Sequence, residues 1–443
     1  MLLAAALILT LSAGIVPMHS HAASGFTTVG GWNESLYATI SGISDSDVTA
    51  VSYSGAMSGS LSGQDLEYLV RESGSGVRID IPGLKAGTYS LSVTTKSGEY
   101  AASNIQVAAH DRSGYAHWNY SQGIGAYNDD GTLKPGAIVL YVTDSNKNTV
   151  SVTSKDGTTV TGIGNILNSG GGQYKVDSTT GLPIEHKLNT NQQILRRLAD
   201  DGTPLVVRFI GRVTAPEGLT AYSSNDYGGT VGDNGFMARM QSGLNITLEG
   251  IGADAIIDGW GIHFIAQTSY PDYGKNFEAR NIEFRNVPED CLGMEGQQAN
   301  GQLTAPVERC WVHHCSFYGP TISNPAESDK DGGDGAVDFK RGQYYTMSYC
   351  YFDGYHKTCL IGSTNSALQY HITWHHNHWK NCESRAPLTR QANVHIYNNV
   401  FENQSKDGMS LRANCFVYSE YNTYIDSVVN DEHNDGRAKC YNN

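Results

Sequence analysis

Side chains that can bind a metal ion and an acidic ligand are concentrated in the segment 334–390. Asp334 and Asp338 lie four positions apart in a glycine-rich stretch, Lys357 follows, and Arg385 and Arg390 flank the segment APLT. Paired carboxylates suit a hard cation such as Ca²⁺, which prefers oxygen ligands. Lysine and arginine add fixed positive charges that bind carboxylate groups. These residue types in this order predict a metal-assisted site for an acidic ligand.

The composition favours a turn-rich β protein. The chain of 443 residues contains 50 glycines and 26 tyrosines, and only 17% of its residues are charged. Runs of the helix-forming residues Ala, Leu, Glu and Lys are scarce, as is typical of all-β proteins. The formal net charge of -14 argues against nucleic acid or an anionic membrane as a partner. An acidic polymer remains a possible ligand where a cation or a basic cluster makes the contact, and we expect a monomer.

Residues 1–25 predict a secretory signal peptide. An apolar run extends from Leu2 to Val16, and the small residues Ala22 and Ala23 follow it, although no basic residue precedes the run. The run is short and is followed by Pro17, which argues against a membrane span. We therefore expect a secreted, extracellular protein.

The eight cysteines leave two alternatives open. All of them lie between Cys291 and Cys440. An even number in a secreted protein permits disulfides, and buried free thiols are the other possibility.

Residues 26–109 predict a small β-sandwich that precedes the site. Segments such as VRIDIPGL and GTYSLSVTT alternate apolar and polar residues, as half-buried strands do. The pattern PGLKAGTYSLSV resembles a fibronectin type III module, in which a leucine and a tyrosine close a corner of the sandwich. Such a module serves as a spacer or folding partner, or it binds a glycan.

Repeating segments predict that residues 110–443 form a solenoid. Equivalent segments each place an aromatic residue at one position: Phe284, Phe317, Phe352, Trp379, Phe401 and Tyr424. The last two intervals are 22 and 23 residues, which indicates a coil of about 22 residues. Short β runs without intervening helices predict a right-handed parallel β-helix. The predicted fold class is therefore all-β, a β-helix preceded by the sandwich.

Several details of the coils follow from the same alignment. Asn377, Asn399 and Asn422 stand two positions before the aromatic residue and should form a hydrogen-bonded ladder. Cys315 and Cys350 hold that position in two preceding coils, so we expect their side chains to lie side by side, bonded or nearly so.

We predict a covered first coil and an open last one. A helix at residues 189–198, with a polar start and apolar Ile194, Leu195 and Leu198, should cap the first coil. The chain ends at Asn443, soon after Tyr424. We expect it to be a C-terminally truncated fragment whose last coil has an open face.

Three blocks in order resemble the pectate lyases of polysaccharide lyase family 1. They are DGAVD at residues 334–338, the HK that ends at Lys357, and RAPLTR at residues 385–390. LIGS after the lysine and VHIYNN after the last arginine extend the match. The resemblance implies calcium-dependent β-elimination of polygalacturonate (pectin) to 4,5-unsaturated oligogalacturonides.

The resemblance also implies a role for each site residue. Arg385 is the proton acceptor, Lys357 binds the substrate carboxylate, and Arg390 holds the sugar or its neighbour. Asp334 and Asp338 bind Ca²⁺ together with a third carboxylate from the neighbouring coil. Asp290 in VPEDCLGMEG is the best candidate for that third ligand, and Glu289 or Glu295 is the substitute.

One motif departs from the family's pattern, and two other functions stay open. The family usually has WIDH where this chain has WVHH, so His313 replaces an acid. A pectin lyase acting on methyl-esterified pectin would not need Asp334 and Asp338. A non-catalytic β-helix glycan-binding protein would not explain Lys357, Arg385 and Arg390 in the order that lyases have.

Overall fold

The structure is a computed structural model in which strands dominate. It describes residues 18–19, 25–168, 172–176, 183–188, 193–222, 235–287, 289–319, 334–363, 367–432 and 435–443. Most of the predicted signal peptide and the first residues of the predicted helix lie outside this range. None of the helices in the described residues is long and apolar enough to cross a membrane.

Two antiparallel sheets pack face to face as a β-sandwich. The strands of the first sheet, in spatial order, are Met18–His19, Thr28–Trp32, Ser35–Ser41, Gly76–Pro82 and Val70–Ser73. The strands of the second are Gly59–Ser60, Val48–Gly55, Gly87–Thr95 and Gly98–Val107. A 3₁₀ turn at Asp45–Asp47 and an α-helix at Gln64–Leu69 complete it. The Tyr89 hydroxyl donates a hydrogen bond of 2.8 Å to the Lys85 carbonyl and closes the predicted corner beside buried Leu84.

Three parallel sheets, which we call A, B and C, form the β-helix. Sheet A contains Gly235–Gln241, Trp260–Ile265, Leu292–Glu295, Val337–Lys340, Cys359–Ile361, Leu388–Arg390, Met409–Arg412 and Asn430–Glu432. Sheet B contains Ile138–Val142, Leu205–Thr214, Leu244–Asp258, Lys275–Arg280, Val307–His313, Gly342–Ser348, Gln369–His375, Ala392–Tyr397, Phe416–Glu420 and Arg437–Tyr441.

Sheet C completes each coil. It contains Glu283–Arg285, Ser316–Tyr318, Tyr351–Asp353, His378–Lys380, Val400–Glu402 and Thr423–Ile425, and the long strands Leu205–Thr214 and Leu244–Asp258 run from sheet B into it. Each coil visits A, B and C in turn, and successive coils pair in parallel. The predicted fold class, a β-sandwich followed by a right-handed parallel β-helix, is confirmed. The division of the chain at residues 25 and 109 stays a prediction.

Short hairpins and two helices are inserted between the strands of the coils. The additional strands are Ser151–Thr153, Thr159–Thr161, Gly172–Val176, Pro183–Leu188, Thr220–Tyr222, Gln297–Ala299 and Gln302–Ala305. The helices are Ile163–Leu167 and Ile194–Asp200. Ile194, Leu195 and Leu198 are buried in the β-helix core, which agrees with the predicted cap, although the helix extends two residues further than predicted.

The aromatic stack and the asparagine ladder are both present. Rings at the predicted positions lie parallel in successive coils, with centroid separations of 5.2, 4.9, 5.3, 4.9 and 4.7 Å. The Asn377 side-chain amide donates to Asn399 Oδ1 at 3.0 Å, and that of Asn399 donates to Asn422 Oδ1 at 2.9 Å. Both ladders are buried, so they contribute to the coil's stability rather than to binding.

The cysteines contribute free thiols to the core. Cys315 and Cys350 lie in neighbouring coils as the alignment predicts, since the Tyr351 amide donates to the Cys315 carbonyl at 2.9 Å. They are not bonded to each other, and the other six cysteines are also free. Seven of the eight thiols are buried, so the disulfide alternative is wrong and the alternative of buried thiols is confirmed.

A linker segment, which we define as residues 108–137, covers much of the outer side of sheet B. Its backbone amides at Ala116 and Ala126 donate to the hydroxyls of Thr346 and Thr247 at 2.9 and 2.8 Å. These threonines face outward because the residues on either side of them point into the core. The linker segment therefore limits access to the outer side of sheet B.

Residues 430–443 continue the solenoid rather than cover it. Asn430–Glu432 pairs in parallel with the preceding strand of sheet A, and Arg437–Tyr441 does the same in sheet B. The expectation that the chain is a fragment stays a prediction.

Candidate active site

The outer side of sheet A collects charged residues from successive coils. Inward positions such as Val337 and Phe339 belong to the core, so the alternate residues face outward. His263, Gly293 and Asp338 are register partners in one outward row. The strand register therefore places residues that are far apart in sequence on one surface.

The turns that precede the strands of sheet A stack in the same way. Backbone hydrogen bonds join Cys291 to Gly335, Ala336 to Thr358 and Cys359 to Arg385 across neighbouring coils. The turns therefore bring four consecutive coils into one column. All six predicted site residues lie in or beside it: Asp290, Asp334, Asp338, Lys357, Arg385 and Arg390.

Two of the predicted metal ligands converge above Gly335. A Cβ added to Gly335 would lie 2.6 Å from Asp290 Oδ1 and 3.2 Å from Asp338 Oδ1. Burial and the Asp290 carboxylate raise the pKa of Asp338 to about 7, although Lys340 opposes the shift. Burial and Asp290 likewise raise the pKa of Glu289 to about 7. A cation between these oxygens would relieve the repulsion, so the donor set fits Ca²⁺.

The remaining predicted ligand, Asp334, faces the basic residues of the site. Asp334 Oδ1 lies 3.9 Å from Lys357 Nζ, and the Lys357 side chain is only 3% exposed. Asp334 therefore stands between the carboxylate pair and the predicted substrate-binding lysine. Of the two substitutes, Glu289 is next to Asp290, whereas Glu295 forms an ion pair with Arg341.

Two residues at the site were not anticipated. Lys340 Nζ lies 2.8 Å from Asp338 Oδ2 and 3.8 Å from Asp290 Oδ2. His263 Nε2 lies 3.3 Å from Asp290 Oδ2. Burial alone lowers the pKa of His263, but the hydrogen bond and charge of Asp290 outweigh it and raise that pKa. The sequence could have indicated Lys340, because it stands two positions after Asp338 and so lies on the same face of the strand. His263 is far away in the sequence and approaches Asp290 only because neighbouring coils pair.

The two predicted arginines contribute positive charge to the site. Within the described ranges, neither Arg385 nor Arg390 has an ion-pair partner within 4 Å. Burial and the charges of Arg385 and Arg412 lower the pKa of Arg390. The Arg385 amide donates to Asp407 Oδ1 at 3.2 Å, which holds its backbone at a φ of 63°. An anionic ligand would therefore find two available guanidinium groups beside the carboxylate pair.

Comparison with known families agrees with this geometry. Residues 218–441, just over half of the chain, match the family model described as pectate lyase. The chain belongs to the pectate lyase family, a family of polysaccharide lyases. All six predicted site residues fall inside the matched range.

Individual relatives are similar over part of their length. Pectate lyase A of Emericella nidulans is 30% identical over 196 residues, which are 43% of this chain and 54% of that protein. The pectate trisaccharide-lyase of Thermotoga maritima is 34% identical over 146 residues, which are 30% of this chain and 36% of that protein. The chain thus spans about half, or less, of these relatives. A solved pectate lyase from Acidovorax avenae subsp citrulli is 18% identical, with a TM-score of 0.40 over 71% of this chain and 75% of that one.

Proposed function

We propose that the protein is a secreted, calcium-dependent pectate lyase that cleaves polygalacturonate by β-elimination to 4,5-unsaturated oligogalacturonides. The observation that carries the proposal is the arrangement on sheet A. Converging carboxylates lie beside Lys357. Two arginines without a described ion-pair partner follow in the next coil, in a chain that belongs to the pectate lyase family.

The chemical difficulty is the weakly acidic proton on C5 of a galacturonate. Removing it builds negative charge on the neighbouring C6 carboxylate, and the bond between C4 and the glycosidic oxygen then breaks. The departing oxygen takes up a proton, and the new end carries a C4–C5 double bond. Positive charge placed at the C6 carboxylate lowers the barrier, because it stabilises charge that develops in the transition state.

Calcium would supply part of that positive charge by binding the substrate carboxylate as a Lewis acid. Asp290 and Asp338 would hold the ion from two neighbouring coils, and Asp334 would complete the set. The pair suits this role because its two Oδ1 atoms already converge. Lys340 and His263 would position the two carboxylates through the contacts described above.

The basic residues would bind the substrate and accept the proton. Lys357 is almost fully buried, which makes it a fixed charge rather than a mobile surface lysine. Arg390 would hold the same sugar or its neighbour. Arg385, the first residue of the RAPLTR block, would accept the C5 proton.

The carboxylate pair favours a charged substrate over an esterified one. A methyl-esterified pectin offers no free carboxylate for a cation to bridge, so a pectin lyase would gain nothing from burying Asp290 beside Asp338. A non-catalytic glycan-binding protein would likewise not need arginines left without carboxylate partners. The apolar N-terminal run and the formal charge of -14 support secretion and a polysaccharide partner reached through a cation and a local basic cluster.

An ultraviolet assay for the conjugated unsaturated product tests the proposal. The purified protein is given polygalacturonate or highly methyl-esterified pectin, each with Ca²⁺ or with excess chelator. We expect product from polygalacturonate with Ca²⁺ and its loss on chelation. Equal rates on esterified pectin with chelator would establish the pectin lyase, and no product under any condition would establish a binding protein.

A further inference from the structure

Three histidines from two distant segments, two of them buried and the third partly buried, meet at the turn between sheets B and C. His313 ends a strand of sheet B, His314 follows it, and His110 comes from the linker segment. One ring nitrogen of each lies within 4.8 Å of the other two. His313 and His314 belong to the WVHH motif, which the proposed lyase chemistry leaves without a role.

The two adjacent histidines present their Nδ1 atoms to each other. His313 Nδ1 and His314 Nδ1 are 2.9 Å apart. Two nitrogen ligands with Zn–N bonds of about 2.0–2.1 Å lie about 3.3–3.4 Å apart at the tetrahedral angle and about 2.9 Å apart at an angle near 90°. The separation therefore fits two ligands of a single ion.

The outer nitrogens of these rings have polar partners, as metal-bound histidines do. His313 Nε2 lies 3.1 Å from Glu278 Oε1, and Glu278 is itself buried. His314 Nε2 lies 3.4 Å from Asn33 Nδ2, and ligation through His314 Nδ1 requires the Asn33 amide to turn so that its oxygen accepts from Nε2. A carboxylate on the far nitrogen of an imidazole fixes its tautomer and strengthens it as a ligand, which directs His313 Nδ1 inward as a lone-pair donor.

The third histidine supplies an independent indication. His110 is 5% exposed, and within the described residues its buried Nδ1 has no hydrogen-bond partner. Its ring lies 4.7 Å from that of His313 and 5.1 Å from that of His314. Burial lowers the pKa of His110 well below its ordinary value and keeps the ring neutral, which is the form that binds metals. Trp311 stacks on His313 at 3.6 Å and excludes water from that side.

We propose that His110, His313 and His314 bind one Zn²⁺ or a similar borderline transition-metal ion that ties the linker segment to the β-helix. Three imidazoles suit Zn²⁺, and a fourth position is open for water. Calcium is a poor occupant because it requires oxygen ligands. Since His110 immediately follows the sandwich, the ion would also fix the position of the N-terminal module.

A chain of hydrogen bonds is the competing arrangement. In it, Asn33 donates to His314, His314 Nδ1 donates to His313 Nδ1, and His313 Nε2 donates to Glu278. That chain satisfies two histidines and leaves His110 Nδ1 without a partner. Metal binding would give the His110 ring a partner as well, so metal content distinguishes the two arrangements.

The test measures bound Zn²⁺ by elemental analysis after the full-length protein is saturated and gel-filtered. The variants are His110→Gln and His314→Gln, with His395→Gln as the matched control because His395 pairs with Glu420 away from the cluster. We expect each cluster variant to lose one equivalent relative to wild type and the control to lose none. Asp338→Asn should also keep that equivalent, which separates this site from the acidic residues of sheet A.

Cobalt provides the second readout. Co²⁺ added to the metal-free wild type should produce the visible absorption of a nitrogen-ligated ion, and His314→Gln should abolish it. An unchanged metal count in both cluster variants, or a wild type that retains no more Zn²⁺ than they do, would overturn the proposal in favour of hydrogen-bonded histidines only. Circular dichroism of each variant shows whether a lost equivalent reflects a lost fold, and in that case His110→Asn provides the milder change.

Discussion

At the scale of single residues, the outer side of sheet A separates negative charge from positive charge along the solenoid. Earlier coils contribute Asp290 and Asp338, and burial together with the charge of Asp290 raises the pKa of Asp338 to about 7. Later coils contribute Lys357, Arg385 and Arg390. A substrate carboxylate bound between the two groups would contact a cation on one side and basic side chains on the other.

The substitution Asp338→Asn should weaken calcium binding without unfolding the protein. It removes one of two converging negative charges and keeps the shape of the side chain. We expect the Ca²⁺ concentration for half-maximal activity to rise roughly tenfold or more. Asp353→Asn on sheet C is the matched control, and its requirement should stay that of wild type. If both variants share the wild-type requirement, Asp338 is not a ligand.

The residue types of the site were predictable from the sequence, but part of its surroundings was not. Short sequence blocks in a fixed order contain five of the six predicted residues: Asp334, Asp338, Lys357, Arg385 and Arg390. His263 approaches Asp290 only because their strands are register neighbours, and coil lengths that vary through inserted loops hide this register. Residue types alone therefore do not show which strands of distant coils pair, and that pairing places His263 at the site.

At the scale of secondary-structure elements, the asparagine ladder should stabilise the turn between sheets B and C. Asn399 donates to the carbonyls of Trp374 and Tyr397 at 3.1 and 3.0 Å and accepts from Asn377 at 2.9 Å. Asn399→Ala would leave these buried groups without partners, which costs about 2–4 kcal/mol of unfolding free energy. Denaturant titration measures this loss.

The exposed ladder on the next turn provides the comparison for Asn399. Asn403 donates to Asn381 at 3.1 Å in an exposed position. Asn403→Ala should cost only about 1 kcal/mol, because water replaces the lost hydrogen bond and the remaining cost is that of alanine at a φ of 55°. Equal losses in the two variants would contradict a special role for the buried ladder.

The contact between the linker segment and sheet B should weaken in acid. Burial, assisted by the neighbouring His376, lowers the pKa of His375 to about 4, although Asp111 opposes the shift. The unfolded chain, with a pKa near 6.5, binds more protons than the folded one between pH 4 and 6.5. His375 therefore contributes stability above about pH 6.5 that is lost as pH falls toward 4, on the order of 3 kcal/mol in total.

The substitution His375→Gln tests this acid sensitivity. It should flatten the fall in unfolding free energy between about pH 6.5 and 4, as measured by thermal melts across that range. An unchanged slope in His375→Gln would place the acid sensitivity elsewhere.

The coils were predictable from the sequence because their pattern repeats, whereas the ends of individual helices and strands were less predictable. The spacing of Trp379, Phe401 and Tyr424 determined the coil length, and their rings stack as expected. The helix ends at Asp200 rather than at Leu198, since two further residues continue its last turn. The thiols of Cys315 and Cys350 share a register without forming a disulfide, a choice that spacing does not determine.

At the scale of the whole molecule, the sandwich and the β-helix share a buried junction. The sandwich core includes Tyr141, Ile210 and Ile251 from the β-helix. Arg71 binds Asp254 through two hydrogen bonds of 2.7 Å. Buried Glu34 accepts from Arg112 at 2.5 Å, so polar contacts reinforce the apolar ones.

The substitution Glu34→Gln should loosen this junction. Glu34 is 1% exposed and is the closest carboxylate partner of Arg112, so the change breaks a buried ion pair, while Arg280 keeps Glu249 and Glu278. We expect a loss of roughly 3–5 kcal/mol and a sandwich that melts before the β-helix in calorimetry. Glu99→Gln, at an exposed position, should melt as wild type does. A single wild-type transition in Glu34→Gln would show that the apolar contacts suffice.

The sandwich and the solenoid were each predictable, whereas their junction was not. Both have local periodicity, of two residues in the strands and about 22 in the coils. The junction combines Glu34 from the sandwich, His110 from the linker segment and Arg280 from a coil, which no short pattern links.

The central claim is that the outer side of sheet A eliminates across C4 and C5 of polygalacturonate with Arg385 as the base. The most direct measurement is the rate of unsaturated product formation at saturating Ca²⁺ by Arg385→Lys, with Arg285→Lys on sheet C as control. Lysine keeps the charge but not the guanidinium, so we predict a loss on the order of 10²-fold or more with calcium binding and folding intact. Turnover by Arg385→Lys close to that of the control would contradict the account.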